Sequence, residues 1–325
     1  MSSQRRTYWH FEGQGRLPSE YDITSARLLY HREHGFSVDT PVARWHRSMW
    51  ESPSLRGSDW ESFKDPLETT YTDYVTRQAE RESFVDGLFR SIEGTDHDGR
   101  MAREWLELLA SSLPVLRFPC HGLQMLAAQV AQWAPTGRIA MLGLFQAADE
   151  MRRVQLLAYR MRQLQDIDPN FGSDSKQQWQ SNAVWQPLRR VIELLLRTHD
   201  FGESFVALNL LLKPAFDRVF LHGLAEAAEA HGDTLFDKLL FSLGEDAAWH
   251  HGWARALLDH TLRSDSSNQA AIAGWVEHWT PEVEAALASA AQLIHVHHSV
   301  PNSVEQALRD LNSSKFLHDA HGAST

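Results

Sequence analysis

One short stretch of the chain combines acidic and basic side chains at a spacing that could serve chemistry. It reads DEMRR at residues 149–153, within GLFQAADEMRRVQLLAYRMRQLQ. If this stretch is helical, Glu150 shares its face with the apolar residues Ala147, Val154 and Leu157. A carboxylate on an apolar face is tolerated only with a cation beside it, which is either a metal ion or a basic side chain.

The metal alternative has a recognisable pattern. Carboxylate-bridged di-iron sites take Glu-x-x-His from each of two bundle helices, because residues one turn apart converge on the same metal pair. The stretch at 149–153 keeps Glu150 but has Arg153 at the histidine position. A second stretch, DAAWH from Asp246 to His250, keeps the histidine but has Ala247 at the glutamate position. Each stretch therefore supplies half of the pattern.

The two further carboxylates of such a site are also missing. No Asp or Glu lies between Glu107 and Asp149, and Asp217 is the only acid between Glu203 and Glu226. Two irons cannot be held at their usual coordination by so few ligands. We therefore expect no catalytic, cofactor-binding or metal-binding residue in this chain. Glu150, Arg153, Asp246 and His250 are predicted to be vestigial positions with a structural role.

The residue types at 149–153 give a specific hypothesis for how the charge of the Glu150 carboxylate is balanced. Arg153 is predicted to be a fixed cation that neutralises Glu150 where a metal would otherwise have done so. The alternative is an ordinary solvated pair at i and i+3 on a helix surface. The histidine-rich stretches HREH at 31–34 and HVHH at 295–298 lack acids at ligand spacing, and surface histidines are the better interpretation of both.

Composition excludes several classes of function. The 325 residues carry a formal net charge of −11, with no run of Lys and Arg longer than a pair, which disfavours binding to nucleic acid or to anionic membranes. The single cysteine, Cys120, excludes an intrachain disulfide and suits a reducing compartment. No signal peptide and no apolar run of about 20 residues is present. A soluble cytoplasmic protein is expected.

The segments that carry these residues are predicted to be helices. The longer predicted helices, such as 136–166, 202–231 and 233–262, span about 40 Å each, the length of helices in a bundle. No strand alternation is sustained over several elements, so the chain is predicted to be all-α. The predicted helices are 65–93, 99–112, 119–133, 136–166, 186–199, 202–231, 233–262, 267–279, 281–297 and 303–318.

Capping residues and prolines set the predicted boundaries. Asp65 can cap a first helix with Pro66 at its first position. Pro114 and Pro119 are expected to separate two elements, and Thr280 with Pro281 to begin another. Before residue 65, the recurrence of Gly, Pro and Ser with widely spaced Trp predicts an extended arm over its own domain or a partner. The domains expected are 1–64 for this arm, 65–300 for a helical domain without a metal site, and 301–325 for a C-terminal helix and tail.

Several stretches together resemble one protein family. They are PSEYD at 18–22, DPLETTYTDYVTRQ at 65–78, ESFVDGLF at 82–89, GLQM at 122–125, GESFVALNLLLKP at 202–214 and GWVEHWTP at 274–281. In this order they are similar to the β subunit of the hydroxylase component of bacterial multicomponent di-iron monooxygenases. Within this family, they resemble the toluene/o-xylene and toluene 4-monooxygenase branch.

The resemblance implies a ferritin-like helical bundle, similar to that of ribonucleotide reductase, with a non-catalytic structural role. The di-iron centre is then expected in a partner α subunit, in an α2β2γ2 complex that hydroxylates aromatic hydrocarbons such as toluene, benzene or phenol. A regulatory protein and a Rieske-type ferredoxin with its NADH reductase are expected to act on this complex. Alkenes or isoprene are alternative substrates. An independent ferritin-like di-metal oxidase or iron-handling protein and a stand-alone helical binding protein are alternative functions.

Overall fold

In the computed structural model, residues 18–28, 39–51, 54–57 and 59–295 are described, and within these ranges the chain contains helices and turns but no strand. The helices are α1 (Glu20–Ser25), α2 (Pro41–Glu51), α3 (Tyr71–Ile92), α4 (Arg103–Trp133), α5 (Gly137–Leu164), α6 (Ser175–Ser181), α7 (Gln186–Leu195), the composite helix α8 from Phe201 to Ala230, α9 (Thr234–Ser264) and α10 (Asn268–His295). Single 3₁₀ turns lie at Trp60–Ser62 and Asp98–Arg100. The predicted all-α fold is confirmed.

The core lies between the long helices. α4 and α5 are joined by a three-residue turn and pack along their lengths, and Gly143 of α5 allows the closest approach. A Cβ at this position would meet the Ala131 side chain and backbone nitrogen at 3.0 Å, which leaves no room for a larger residue. α8 and α9 close the other side of the bundle, and α10 packs on α7 and α8. α5 is thereby surrounded by α4, α8 and α9.

Helix α8 contains two π-helical segments. The α-helical segments Phe201–Phe205, Lys213–Asp217 and Leu224–Ala230 alternate with the π-helical segments Val206–Leu212 and Arg218–Gly223. A π-helix bonds i to i+5 and therefore has wider turns than an α-helix. The predicted helix at 202–231 is confirmed in its extent, but its periodicity differs from the assumed 3.6 residues.

The predicted start of the first long helix at Asp65 is wrong. α3 begins at Tyr71, because Thr70 and Asp73 form a capping box in which each side chain accepts a hydrogen bond from the backbone N–H of the other residue. Asp65 instead closes a turn by accepting hydrogen bonds from the backbone N–H of Thr69. Glu68, within that turn, has φ of 44°, which no helix can continue through.

Three predicted proline breaks are also wrong. Pro114 and Pro119 lie inside α4, so the predicted helices 99–112 and 119–133 are one element. Pro281 lies inside α10, so Thr280 is not a cap, and the predicted helix 267–279 forms one element with the part of 281–297 that the structure describes, up to His295. An interior proline costs about 3 kcal/mol, and burial of a single large apolar side chain recovers about 1.5–3 kcal/mol. α4 buries many such side chains, which outweighs both of its prolines.

The described part of the first 64 residues contains two short helices and packs on its own chain. Tyr21, Leu55 and Phe63 are buried, which agrees with an arm lying over its own domain. Asp22 holds this part to the bundle, since its carboxylate accepts a hydrogen bond from Arg138 at the start of α5. The predicted helix at 303–318 lies outside the described residues, and the division into three domains stays a prediction.

No helix among the described residues is both long enough and apolar enough to cross a lipid bilayer.

Candidate functional site

The centre of the bundle is unusually polar. α5 carries charged and amide side chains on two faces, one turned toward α8 and the other toward α9 and α3. Buried polar groups are stable only when paired, so their partners define what this region can do. Two separate clusters result, which we call the α8 ladder and the α3–α9 cluster.

The α8 ladder consists of three side-chain pairs stacked one turn apart between α5 and α8. Its rungs are Gln146 with Asn209 (Oε1 to Nδ2, 2.7 Å), Glu150 with Lys213 (Oε1 to Nζ, 2.9 Å), and Arg153 with Asp217 (Nη1 to Oδ1, 2.8 Å). All six residues are buried. Two rungs hold opposite full charges and the third is a neutral amide pair, so the ladder carries no net formal charge.

The predicted partner of Glu150 needs a correction. Glu150 and Arg153 are both buried, so the solvated surface interpretation is wrong. Arg153 Nη1 lies 4.0 Å from Glu150 Oε2, whereas Lys213 Nζ lies 2.9 Å from Glu150 Oε1. Lys213 is therefore the closest cation to this carboxylate, and Arg153 directs its guanidinium mainly to Asp217. Since Lys213 also contacts Asp217, the charges form one closed network.

The α3–α9 cluster joins three helices through two carboxylates. Asp149 accepts hydrogen bonds from the Tyr74 hydroxyl at 2.7 Å and the Gln78 amide at 2.8 Å, and it contacts His250 Nε2 at 2.9 Å. The same Gln78 amide donates to Asp246 at 2.8 Å, which links the two acids.

Two arginines neutralise the second carboxylate of the α3–α9 cluster. Asp246 accepts from Arg152 Nη1 at 2.8 Å and forms a close ion pair with Arg81. Arg152 also donates to the Ser242 hydroxyl and to Glu82 at 2.5 Å. All four predicted positions, Glu150, Arg153, Asp246 and His250, are thus held by ion pairs or hydrogen bonds to residues of other helices.

Burial and neighbouring charge shift the titration of both clusters. Burial raises the pKa of Asp149 to about 6 and also raises the pKa of Asp246. Burial lowers the pKa of His250 to about 3, so its ring is neutral at pH 7 and donates from Nε2 to Asp149. Burial opposes the charge on Asp217, but Lys213, His251 and Arg153 outweigh it and hold the pKa of Asp217 well below its usual range. Asp217 is therefore ionised at pH 7.

These residues do not fit a di-iron centre. Among the described residues, no group of three or more His, Cys, Asp and Glu side chains lies close enough together to hold a metal ion. The cationic groups of Lys213 and Arg153 lie against the carboxylates of Glu150 and Asp217, where a metal would have to bind. Ala247, at the position of a ligand glutamate, is buried and has no donor atom. Ammonium and guanidinium groups there exclude a second cation electrostatically.

The remaining sequence candidates are Cys120 and the two histidine-rich stretches. Cys120 is buried beside the α8 ladder, and burial raises the pKa of its thiol to about 12, so it is unreactive. The histidines at 31–34 and at 296–298 lie outside the described residues. His295 is the last residue of α10.

Sequence reasoning missed several partners on other helices. Lys213 was not identified, and Asp217 was noted only as an isolated acid, although Asn209, Lys213 and Asp217 are the polar residues at spacings of four within the apolar run VALNLLLKPAFD. Tyr74, Gln78 and Arg81 of α3 were not connected to the carboxylates Asp149 and Asp246. Spacing within one helix carries no information about which other helix lies opposite.

The opposite pKa shifts of His250 and Asp149 make opposite contributions to the pH dependence of stability. In the unfolded chain, His250 binds a proton below about pH 6.5, whereas the buried ring stays neutral down to about pH 3. Considered by itself, the lowered pKa of His250 makes the folded state less stable as the pH falls. Asp149 acts in the opposite sense, because its folded carboxyl binds a proton below about pH 6, before the unfolded one does.

Replacing His250 with asparagine is expected to remove the contribution of His250 to the pH dependence of stability and to leave that of Asp149. The destabilisation caused by His250→Asn should shrink by about 1.4 kcal/mol for each pH unit lowered between about 6.5 and 4. Urea unfolding at several pH values measures this difference. His121→Asn, at an exposed position of α4, is the control and should show no such trend. A pH-independent effect of His250→Asn would contradict the assigned neutral ring.

The fold and the core define a class: a ferritin-like helical bundle in which ion pairs fill the centre. Known structures support this class. A chain of toluene-bound toluene 4-monooxygenase superimposes with a TM-score of 0.84 and 31% identity, covering 91% of this chain and 99% of that one. A chain of phenol hydroxylase from Pseudomonas sp. OX1 superimposes with a TM-score of 0.85 at 20% identity, covering 99% and 96%, and this match shows the fold alone.

The chain belongs to the methane/phenol/alkene hydroxylase family, whose profile matches residues 40–265. The β subunit of the hydroxylase component of the toluene-4-monooxygenase system from Ectopseudomonas mendocina is 34% identical to it over 283 residues. That alignment covers 85% of this chain and 86% of the relative. The resemblance found in the sequence motifs is therefore confirmed.

Proposed function

We propose that this chain is the structural β subunit of a multicomponent di-iron monooxygenase hydroxylase. The complex uses O2 and electrons from NADH to hydroxylate an aromatic hydrocarbon of the toluene, benzene or phenol type. The di-iron centre is in a partner α subunit, and this chain supplies no catalytic residue. The names of its relatives support the reaction class, and the chemistry of its core supports the division of labour.

The α8 ladder is the observation that carries this proposal. In a ferritin-like bundle, the positions between the central helices are those at which a metal pair would be ligated. Here Lys213 and Arg153 take those positions, and they neutralise Glu150 and Asp217 without a metal. A bundle with paired charges in its centre keeps its helices in place independently of iron, which suits a supporting subunit.

The residues of this chain act by fixing helices rather than by touching substrate. The α8 ladder joins α5 to α8, and the α3–α9 cluster joins α5 to α3 and α9. Breaking a buried ion pair costs about 3–5 kcal/mol, so these networks oppose relative movement of the helices. A rigid bundle can hold a neighbouring subunit whose own helices must position iron ligands accurately.

The partners follow from the same proposal. We expect α and γ subunits in an α2β2γ2 hydroxylase, with a regulatory protein and a Rieske-type ferredoxin with its NADH reductase acting on the complex. A cytoplasmic location suits a chain with one buried cysteine. The gene for the α subunit is expected nearby and should encode two complete Glu-x-x-His helices.

Co-expression with that neighbouring gene product tests the proposal. The chain should co-purify with the α subunit, and iron should follow the α subunit. The isolated chain should contain less than about one iron per several chains. Toluene or phenol hydroxylation by the complex should fall to background when this chain is omitted.

Two results would reject the assignment. Two irons bound per isolated chain, with oxidase activity, would favour the independent di-metal protein. A chain that remains alone in the presence of the α subunit and is stabilised by a small apolar ligand would favour the stand-alone binding protein.

A further inference from the structure

An exposed strip runs along the outer surface of the bundle where α3 lies beside α5. Tyr71 and Val75 of α3 are 65% and 44% exposed, and Leu144 and Tyr159 of α5 are each 52% exposed. These residues fall on neighbouring stripes by helical spacing, at 71, 75, 82, 86 and 89 on α3 and at 144, 148, 155 and 159 on α5. We call this surface the α3–α5 strip.

The two ends of the strip differ in chemistry. The end at the start of α3 is apolar, formed by Tyr71, Val75 and Leu144, and the small side chain of Ala148 continues it. Exposed large apolar side chains that cluster on one face mark an interaction surface. The small residue leaves room for a partner backbone to approach closely.

The other end of the strip is a cleft with an acidic rim. It has a volume of about 350 Å³, and its lining includes Phe89 and Tyr159, whose ring centroids lie 4.5 Å apart. Three acids line it, Glu82, Asp86 and Glu93. Two arginines, Arg90 and Arg152, also line the cleft, so three acids against two arginines leave an excess of one formal negative charge. Arg152 is directed to Glu82 and to Asp246, and it donates to neither Asp86 nor Glu93.

We propose that the α3–α5 strip binds an amphipathic helix of the catalytic subunit. The helix places its apolar residues against Tyr71, Val75 and Leu144, and its Lys or Arg side chain enters the acidic cleft beside the rings of Phe89 and Tyr159. The strip from Leu144 to Tyr159 is about 22 Å long, which accommodates about four helical turns. Aromatic rings and carboxylates together are a favourable environment for a basic side chain.

The asymmetry of the strip argues for a different chain as its partner. If two copies of this chain met through the strip by two-fold symmetry, the acidic end of one would face either the apolar end or the acidic end of the other. The first arrangement buries unpaired carboxylates, and the second brings like charges together. A partner with one apolar end and one basic end satisfies both ends at once.

This inference rests on the proposed function, because it takes the catalytic subunit as the partner. The test uses the co-expressed complex with two substitutions, Leu144→Asp at the apolar end and Asp86→Lys at the acidic cleft. Each is expected to raise the apparent dissociation constant of this chain from the catalytic subunit at least tenfold. Dilution of the purified complex, followed by mass photometry, measures it. The Asp86→Lys effect should diminish at 0.5 M NaCl, since salt screens surface charge.

Matched substitutions at other exposed positions provide the controls. Ile167→Asp changes an apolar residue that is 43% exposed, and Glu229→Lys changes an exposed acid at the end of α8. Both should leave the dissociation constant unchanged. Circular dichroism and melting temperature establish that every variant is folded.

The possible results separate the alternatives. Unchanged binding by Leu144→Asp and Asp86→Lys would overturn the inference while leaving the proposed function intact. Failure of the wild-type chain to bind any catalytic subunit would instead reject the proposed function. A wild-type homodimer that both variants dissociate would also overturn the inference, because a second copy of this chain would then cover the strip. A marked loss of stability of the isolated chain in both variants would overturn it too, because another segment of the same chain would then cover the strip.

Discussion

Replacing Lys213 with methionine is expected to destabilise the chain by about 3–5 kcal/mol, because it leaves Glu150 as a buried carboxylate without its closest cation. Asp217 loses the same partner but keeps Arg153 at 2.8 Å, so the main cost falls on Glu150. Urea unfolding of the variant and the wild type measures the difference in free energy.

A second substitution in the same ladder distinguishes charge from packing. The double variant Glu150→Leu with Lys213→Met removes both members of the rung and should recover most of the stability, since apolar residues of similar volume can replace a buried pair with little loss. If the double variant were as unstable as Lys213→Met alone, lost packing rather than an unpaired charge would explain the effect.

Replacing Asp246 with leucine is expected to loosen α3 before the rest of the bundle. The substitution leaves Arg81 without its close ion-pair partner and removes the second acceptor of the Gln78 amide. Val85 is the one residue of α3 that is fully buried, so this helix depends on polar contacts to the core. Loss of a buried ion pair costs about 3–5 kcal/mol, and the amides of α3 should exchange with solvent much faster than those of α4 and α5.

The neighbouring acid is a suitable control for this experiment. The side chain of Glu245 is about half exposed, and its Oε2 lies 3.7 Å from Arg81 Nε. Glu245→Leu is expected to change stability by less than about 0.5 kcal/mol, because exposed ion pairs contribute little. Equal exchange of α3 in the Asp246→Leu variant and the wild type would mean that apolar contacts hold this helix.

The extent of the long helices could be read from the sequence, since apolar periodicity specifies which segments bury a face. The predicted 136–166 and 233–262 correspond closely to α5 and α9. The helix boundaries predicted at the prolines of α4 and α10 were wrong, because the local conformational preference of proline is outweighed by burial of the whole helix. The start of α3 was misplaced because two competing caps lie five residues apart.

The polar core could be predicted only in part. Glu150 and His250 were recognised as inward-facing, because each interrupts an apolar stripe on its own helix. Their partners Lys213 and Asp149 could not be assigned, since pairing depends on which helices are adjacent and in what register. Arg153 was correctly expected to be buried near Glu150, but the ion pair it forms most closely is with Asp217, 64 residues away.

The π-helical segments of α8 bear on how such chains should be aligned. Each π-helical turn accommodates about one more residue than an α-helical turn. The angular positions of side chains around the axis of α8 therefore shift at each of its two π-helical segments. A helical wheel drawn at a constant 100° per residue therefore loses phase along α8. Alignments of this helix with a regularly wound counterpart should accordingly open one-residue gaps near Val206–Leu212 and Arg218–Gly223, rather than placing insertions in the loops.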